Sequence, residues 1–354
     1  MRVALLANLA QNAPTWPGMP AGQWQHLDSW QTIDAITGAL EQAGHQVIFL
    51  EGDQTLYNNL QAVAPDICFN LCQGHFGHTR MAQVPAILEM LGLPYTGSEP
   101  LPLILGLDTA LTWRNFVYHG LPTPPFQVFD RVDDPANLDW SFPFLLKPSR
   151  GGSPQPFKAG LRVHNREQLE DGVRQLVAEF AQPVMATQGI EGREIIVGLV
   201  GNLPAPAARQ VPQDQASAAL FTGLHILPPV EIKAGTTQTL VCPAPLTEPQ
   251  LERLQWLAAV AFRVMGCRDV AQVTFCFDPH DSDKLWLVDV NPLPSLAFGH
   301  ALLQPAAQAA GWNYEMLVNR ILDAASKRYQ DDGRLRHPRS FFDKSKANVF
   351  QISD

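Results

Sequence analysis

Phe144-Leu145-Leu146-Lys147-Pro148-Ser149-Arg150-Gly151-Gly152-Ser153 is an apolar run that ends in a lysine and opens into a Gly-Gly-Ser loop. Far downstream, Leu287-Val288-Asp289-Val290-Asn291-Pro292 is a second apolar run, with an acid and an amide two residues apart. Alternate side chains on a strand share a face, so Asp289 and Asn291 point one way and Val290 the other. A lysine and the N–H groups of a glycine-rich loop suit phosphate oxygens. Oxygen donors on one strand face suit Mg²⁺, which usually shares its ligands with phosphate. The two runs together point to a nucleoside triphosphate held between two distant elements. The loop is not a P-loop, because no G-x-x-x-x-G-K-[ST] occurs.

Plainer readings stand beside these. Lys147 can cap a buried strand and carry its ammonium out to water. The following glycines favour the phosphate reading, because they let backbone close over a ligand. Asp289 and Asn291 can end a strand in solvent, although two polar groups on one face of an apolar strand ask for a partner. Glu194 follows Gly192, opens another apolar run, and is either a ribose-binding acid or a surface glutamate.

Around these runs the chain reads as alternating strands and helices. Arg2–Leu6, Gln46–Leu50 and Asp66–Leu71 are apolar strand candidates. Asp34, Ala35, Leu40 and Ala43 carry a helical pattern closed by Gly44, and Met81–Leu91 is helical up to Gly92. The order strand, helix, strand, strand, helix predicts an open α/β unit whose working end lies near Asn70–Gly77. Asp108–His119 is the next helix, Phe142–Lys147 the next strand, and Arg166–Glu179 a helix with Leu169, Val173, Leu176 and Val177 at helical spacing. Strands follow at Glu194–Val200, Val230–Ile232, Val270–Phe277 and Leu285–Val290. Thr247 caps a helix to Met265, with Leu251, Leu254, Leu257, Ala258 and Ala261 inward. A last helix covers Tyr314–Ala325. Lys327–Asp354, rich in Lys and Arg, reads as a solvated tail.

At 354 residues the chain is too long for one ordinary core. The expected division is an N-terminal open α/β domain at 1–97, a central subdomain at 98–186, a C-terminal subdomain with the metal-binding strand at 187–326, and a polar tail at 327–354. The net charge of −9, from 34 acids and 25 bases, argues against a nucleic-acid surface and against an anionic membrane face. Thirty prolines, scattered and without period, imply many rigid connections. The five cysteines, Cys68, Cys72, Cys242, Cys267 and Cys276, form no C-x-x-C pair. That disfavours a disulfide framework or zinc site and fits a reducing cytoplasm. Cys68 and Cys72 read as core residues. The apolar start at Val3–Ala10 runs into Gln11 and Asn12 and is not taken as a secretion signal. No run reaches the ~18 apolar residues of a membrane-spanning helix.

Further blocks lie in order along the chain: Phe69-Asn70-Leu71-Cys72-Gln73-Gly74, Leu93-Pro94-Tyr95-Thr96-Gly97-Ser98, Gly120-Leu121-Pro122-Thr123-Pro124, Gly192-Arg193-Glu194, Cys242-Pro243-Ala244 and Ala309-Ala310-Gly311-Trp312. With the Lys147 loop and Asp289-Val290-Asn291-Pro292-Leu293-Pro294, this series resembles the D-alanine–D-alanine ligases of the ATP-grasp superfamily, from about Met1 to Ser326. The resemblance implies an α/β chain, α+β overall, with an ATP-grasp fold behind a Rossmann-like N-terminal domain. It implies ATP and Mg²⁺ as cofactors, amino-acid-like substrates joined through an acyl phosphate, and a homodimer. It places nucleotide contacts at Lys147, Gly151, Gly152, Ser153, Gln188 and Glu194. Metal ligands fall at Asp289 and Asn291, and a catalytic group at Ser153; Arg150 is read as a second catalytic group from its own place in the loop.

The series also departs from the family pattern. Thr109 stands where an ATP-binding lysine is usual, and Pro154-Gln155-Pro156 removes N–H donors from the phosphate loop. Gln272 and Thr274 replace an arginine and a metal-binding aspartate, and Asp289 is one methylene shorter than the usual glutamate. The lid between Ile232 and Cys242 is short and lacks tyrosine. The amine-binding glutamate is missing from Asn12–Gly22, and a carboxylate-binding serine falls near Ala301. Arg150, His75 and His78 are candidates to replace lost charge, though loop histidines are usually only solvated. An altered ligase and a non-catalytic nucleotide or protein binder are therefore both expected readings.

Overall fold

The computed structural model of the protein describes residues 1–19, 22–134, 136, 142–151, 160–188, 192–204, 222–233, 239–278, 281 and 283–331. Three sheets organise the described residues. The first holds β1 (Arg2–Ala7), β2 (Gln46–Glu51) and β3 (Ile67–Asn70), in the order β2-β1-β3 with both pairings parallel. β1 and β3 are buried almost throughout, as parallel strands covered on both faces are. Helices Trp30–Gln42, Leu56–Val63 and Arg80–Met90 complete the unit.

The middle sheet runs β4 (Phe126–Phe129), β7 (Val184–Gln188), β5 (Phe144–Pro148), β6 (Leu161–Val163), all antiparallel. On one face Phe144, Leu146, Val184 and Ala186 pack with Leu169, Val173 and Leu176 of the Arg166–Phe180 helix. Met185 points the other way, into the core of the third sheet.

That sheet is antiparallel and orders β11 (Thr239–Val241), β10 (Val230–Lys233), β8 (Arg193–Gly201), β12 (Val270–Phe277) and β13 (Leu285–Asn291), with β9 (Leu224–Ile226) paired to β8. Ile195, Val197, Leu199, Ala271, Val273, Leu287 and Val290 form a core with Trp113 and Phe116 and with Leu254, Leu257, Ala258 and Phe262 of the Glu248–Met265 helix. Thr247 is the N-cap of that helix, and its N–H donates to Gln250 Oε1 at 3.0 Å.

Several sequence readings need correction. A helix at Leu56–Val63 separates β2 from β3, so the first unit alternates strand and helix throughout. Leu56 and Leu60 are its only buried residues, one turn apart, too few to mark a stripe. A helix at Pro100–Leu107 starts on a proline at N1, where the missing N–H costs nothing. The first helix buries Ile33, Ile36 and Leu40, while Asp34 and Ala43 are exposed. The last helix runs on to Asp331, so Lys327 and Arg328 belong to it; residues 332–354 of the expected tail lie outside the described residues.

Candidate functional site

The site is built where the middle and third sheets face each other. In β5, Leu146 points into the core beneath and Lys147 alternates to the other side, paired with Met185. Its Nζ lies 5.7 Å from the centre of the Trp113 ring, and Trp113 Nε1 donates to Val288 O at 2.9 Å. One indole thus links the lysine strand to β13.

On β13, Asp289 and Asn291 are half-buried on one face, on either side of the buried Val290. Asp289 pairs with Thr274 and Asn291 with Gln272, so these four side chains share that face. Glu194 of β8 lies opposite Cys276, two residues on from Thr274, which puts it on the same face. Lys147 and Asp289 feel each other's charge. Burial pushes the Lys147 ammonium down to about 8, and Asp289 pulls it back. Burial pushes Asp289 up to about 6; Lys147 and a Val290 backbone hydrogen bond oppose that, and Glu194 adds to it. The structure therefore brings together Lys147, Asp289, Asn291 and Glu194, from three strands of two sheets.

The end of β5 is fixed by Asp108, the N-cap of the Thr109–Tyr118 helix. Asp108 Oδ1 accepts from Leu111 N at 3.1 Å and from Ser149 Oγ at 2.8 Å, and Oδ2 accepts from Arg150 Nε at 3.0 Å. Thr109 N donates to Ser149 O at 2.9 Å, and Gly151 N to Leu107 O at 3.2 Å. Arg80 reaches across from the first unit and donates to Gly151 O at 3.3 Å. The Lys147–Gly151 turn is thus held by the helix start, with Arg150 anchored beside it. Gln188 ends β7, exposed and opposite Phe144, three residues along from the partner of Lys147. Gly152, Ser153 and Pro154–Pro156 lie outside the described residues, as does most of the shortened lid; Lys233 is exposed at the end of β10.

The loop after β13 closes the site against the first unit. Asn291 Oδ1 accepts from Leu293 N at 3.0 Å, and Gln73 Nε2 donates to Leu293 O at 3.3 Å. A Cβ on Gly106 would lie 2.7 Å from Pro292 Cδ, so glycine lets the Pro100–Leu107 helix approach this loop. Beyond the loop stand His26 and Asp28. Neither was singled out from the sequence, because His-Leu-Asp-Ser before a helix reads as an ordinary cap region. His75 is half-buried and edges onto Trp24 at 5.4 Å, whereas His78 is exposed, as a loop histidine usually is. Arg80 and Asp108 were missed as site residues too; the aspartate directly before a helical pattern was the available signal for the second. Among the described residues no group of three or more His, Cys, Asp or Glu side chains could hold a metal ion, and no helix is long and apolar enough to cross a membrane.

Comparison with known proteins agrees with this geometry. Residues 116–323 match the family described as D-ala D-ala ligase C-terminus. The uncharacterised protein y4sG of Sinorhizobium fredii is 32% identical over 352 residues, covering 95% of this chain and all of that protein. The D-alanine–D-alanine ligase of Syntrophotalea carbinolica is 30% identical over 300 residues, covering 85% of this chain and 92% of that enzyme. Among solved structures, the D-alanine–D-alanine ligase of Bacillus anthracis complexed with ATP superposes with a TM-score of 0.70 at 19% identity, over 94% of this chain and all of that one. The chain belongs to the D-alanine–D-alanine ligase family and has the ATP-grasp fold.

Proposed function

We propose that the protein is an ATP-dependent ligase that joins a carboxylate to an amine of amino-acid-like substrates, through an acyl phosphate, in the cytoplasm. The observation that carries this reading is that Lys147 and Asp289, on strands of two different sheets, lie close enough to act on each other's charge. Lys147 neutralises phosphate oxygens, aided by the Gly151–Ser153 loop. Glu194 accepts hydrogen bonds from ribose hydroxyls, and Gln188 contacts the nucleotide farther along β7. Arg150 faces the transferred phosphoryl group from its anchor on Asp108. Ser153, outside the described residues, is the active-site loop serine that the family resemblance implies.

The donor set fits Mg²⁺. One carboxylate and one amide oxygen stand on a single face, which is what the ion needs from protein when phosphate oxygens complete its shell. The bond from Leu293 N fixes the Asn291 amide with its oxygen held in place. When bound by Asp289 and Asn291, Mg²⁺ offsets the charge on the phosphate oxygens. The protein's own part in phosphoryl transfer is then positioning and charge neutralisation.

A second reading is a nucleotide binder without chemistry. It is favoured by Thr274 and Gln272 standing opposite Asp289 and Asn291, which leaves one carboxylate on that pair of strands. A single experiment separates the two. Purified protein with Mg²⁺ and ATP is offered D- and L-amino acids while phosphate release is followed. The ligase reading predicts turnover with some pair, lowered by at least about a hundred-fold in Lys147→Ala. Absence of release with every pair, alongside a melting shift by ATP, would leave the binder. For the metal, Asp289→Ala is expected to abolish the Mg²⁺ dependence of ATP binding; unchanged dependence would place the ligands elsewhere.

A further inference from the structure

The first sheet has the order β2-β1-β3, so the chain leaves β1 to one side and comes back on the other. In parallel sheets of this kind, ligands bind at the carboxyl ends of the two strands where the order reverses. Here those strands are β1 and β3. The loops that follow them are tied together, with Gly74 N donating to Asn8 Oδ1 at 2.8 Å. Both loops bring aromatic rings to this place. In the first, Trp16-Pro17-Gly18-Met19 forms a tight turn: Met19 N donates to Trp16 O at 3.2 Å, and Gly18 takes the positive φ of 79° that such a turn requires. In the second, Gly74 packs so closely on Arg80 that a Cβ would lie 2.6 Å from its carbonyl oxygen, so the loop closes on itself with Phe76 inside its span. Gln83 Nε2 holds that span by donating to Phe76 O at 3.0 Å.

Trp16, Trp24 and Phe76 pack on one another, with ring centres 5.9 Å apart for the two tryptophans, 6.1 Å for Trp16 and Phe76, and 5.8 Å for Trp24 and Phe76. Trp24 anchors the first loop. It is buried with Ala13 and Leu27, and its Nε1 donates to Pro14 O at 2.8 Å. Trp16 and Phe76 do something else, because they remain 40% and 55% exposed. Loop packing is served by the buried indole and gives no reason for two large rings to face water side by side. Adjoining exposed apolar groups of this kind mark binding surfaces. We propose that Trp16 and Phe76 receive the side chain of the amino-acid substrate, which makes the substrate class an amino acid with a large apolar or aromatic side chain. Neither ring carries a charge, so what they select is apolar surface, including the edge of another ring. The position agrees. The loop that holds Phe76 runs on to Arg80, four residues later, and Arg80 donates to Gly151 O at the turn after Lys147. One short loop thus carries both the aromatic surface and a contact to the turn assigned to phosphate. The inference rests on the ligase reading for the substrate being an amino acid, and narrows that reading to a side-chain class.

The test is calorimetry on the full-length protein, with and without Mg²⁺ and ADP, using the D- and L-forms of alanine, leucine and phenylalanine as probes. The expected result is that leucine or phenylalanine of one hand binds at least about ten-fold more tightly than alanine, because more apolar surface leaves water. In Trp16→Ala and in Phe76→Ala that preference should fall to about three-fold or less, and Trp16→Phe, which keeps a ring, should restore most of it. Melting curves on every variant confirm that it folds. A preference for the large side chain that survives both alanine variants would overturn the proposal. So would equal affinity of wild type for alanine and phenylalanine, or no binding of any probe, either of which would leave the rings as loop packing alone. Phosphate release from Mg²⁺-ATP with pairs of the same amino acids separates this inference from the ligase reading. Release without any size preference in binding would sink the side-chain class and leave the ligase. Size-selective binding that the two alanine variants abolish, without release from any pair, would sink the ligase chemistry and leave the rings their ligand.

Discussion

Asp269 is wholly buried and Asp28 nearly so, but the fold surrounds only the first with donors. Asp269 Oδ2 accepts from Gly97 N at 2.9 Å and from Arg328 Nη2 at 2.7 Å. Its Oδ1 accepts from Asn202 Nδ2 at 2.7 Å and from Arg328 Nε at 3.2 Å. One carboxylate thereby ties the start of β12 to the first unit, to the residue after β8, and to the last helix. Asp28 has none of this, and burial raises its carboxyl to about 7. A buried acid that serves architecture is saturated with donors. An acid left unsaturated weakens the fold, and natural sequences keep such features where function requires them.

The sharpest way to break this comparison is to take the partners from Asp269. Arg328→Ala removes two donors and the compensating charge, leaving a wholly buried carboxylate with only Gly97 N and Asn202 Nδ2 as donors. The expected cost is about 3–5 kcal/mol, the range for breaking one side of a buried pair. It is measured as the shift of the urea unfolding midpoint at constant slope. A loss under about 1 kcal/mol would show that Gly97 and Asn202 suffice, and that Asp269 is not distinguished from Asp28 by its ion pair.

The two aspartates also mark how far sequence reading reaches. Asp289 and Asn291 were legible as a pair because a strand's period of two puts i and i+2 on one face, whereas Lys147 was read from the glycines that follow it and Glu194 from its place at the start of an apolar run. The bulge between Thr274 and Phe275 did not disturb the Thr274–Asp289 and Gln272–Asn291 rungs that matter. The helices at Leu56–Val63 and Pro100–Leu107 were not legible: one shows only two buried anchors, and the other opens with a Pro-Leu-Pro that looks like a break. Arg328 was hidden among the basic residues of the chain's end, since nothing local says that Asp269, far away in sequence, will fold against it. Asp28 was hidden for the complementary reason. Its solitude is a property of the packed neighbours Cys72, Tyr314 and Leu296, none of which is near it in sequence.

Asp28→Asn sharpens the comparison with an effect of opposite sign. The folded carboxyl titrates near 7, above its ordinary 3.8. Between those values the folded state binds more protons than the unfolded state, so stability falls as pH rises through this window and levels off above about 7. Asparagine carries no such penalty. The variant should match wild type near pH 4 and exceed it at pH 8 by about 2 kcal/mol, with ~4 kcal/mol as the ceiling set by a shift of about three units. Denaturation curves across that range are the check. A variant less stable than wild type at pH 8 would mean that the Asp28 carboxyl serves the architecture after all, and the contrast with Asp269 would be lost.

The smallest effect on stability is expected at Asp108, which like Asp269 is paired with an arginine. Its partner Arg150 is 40% exposed at the side chain, against 12% for Arg328. Water and salt screen such a pair, so Arg150→Ala should cost no more than about 1 kcal/mol, and less at high ionic strength. Asp108 keeps Ser149 Oγ at 2.8 Å and Leu111 N at 3.1 Å when the guanidinium is gone, and its side chain still reaches solvent where that of Asp269 does not, so the unpaired charge is cheaper there. If Arg150 faces the transferred phosphoryl group as proposed, the variant loses turnover by about a hundred-fold or more while its unfolding midpoint scarcely moves. Equal losses in both would show that the arginine acts only by anchoring the Lys147–Gly151 turn, and the cation facing the phosphoryl group would then have to come from elsewhere, with Arg80, which donates to Gly151 O, a candidate.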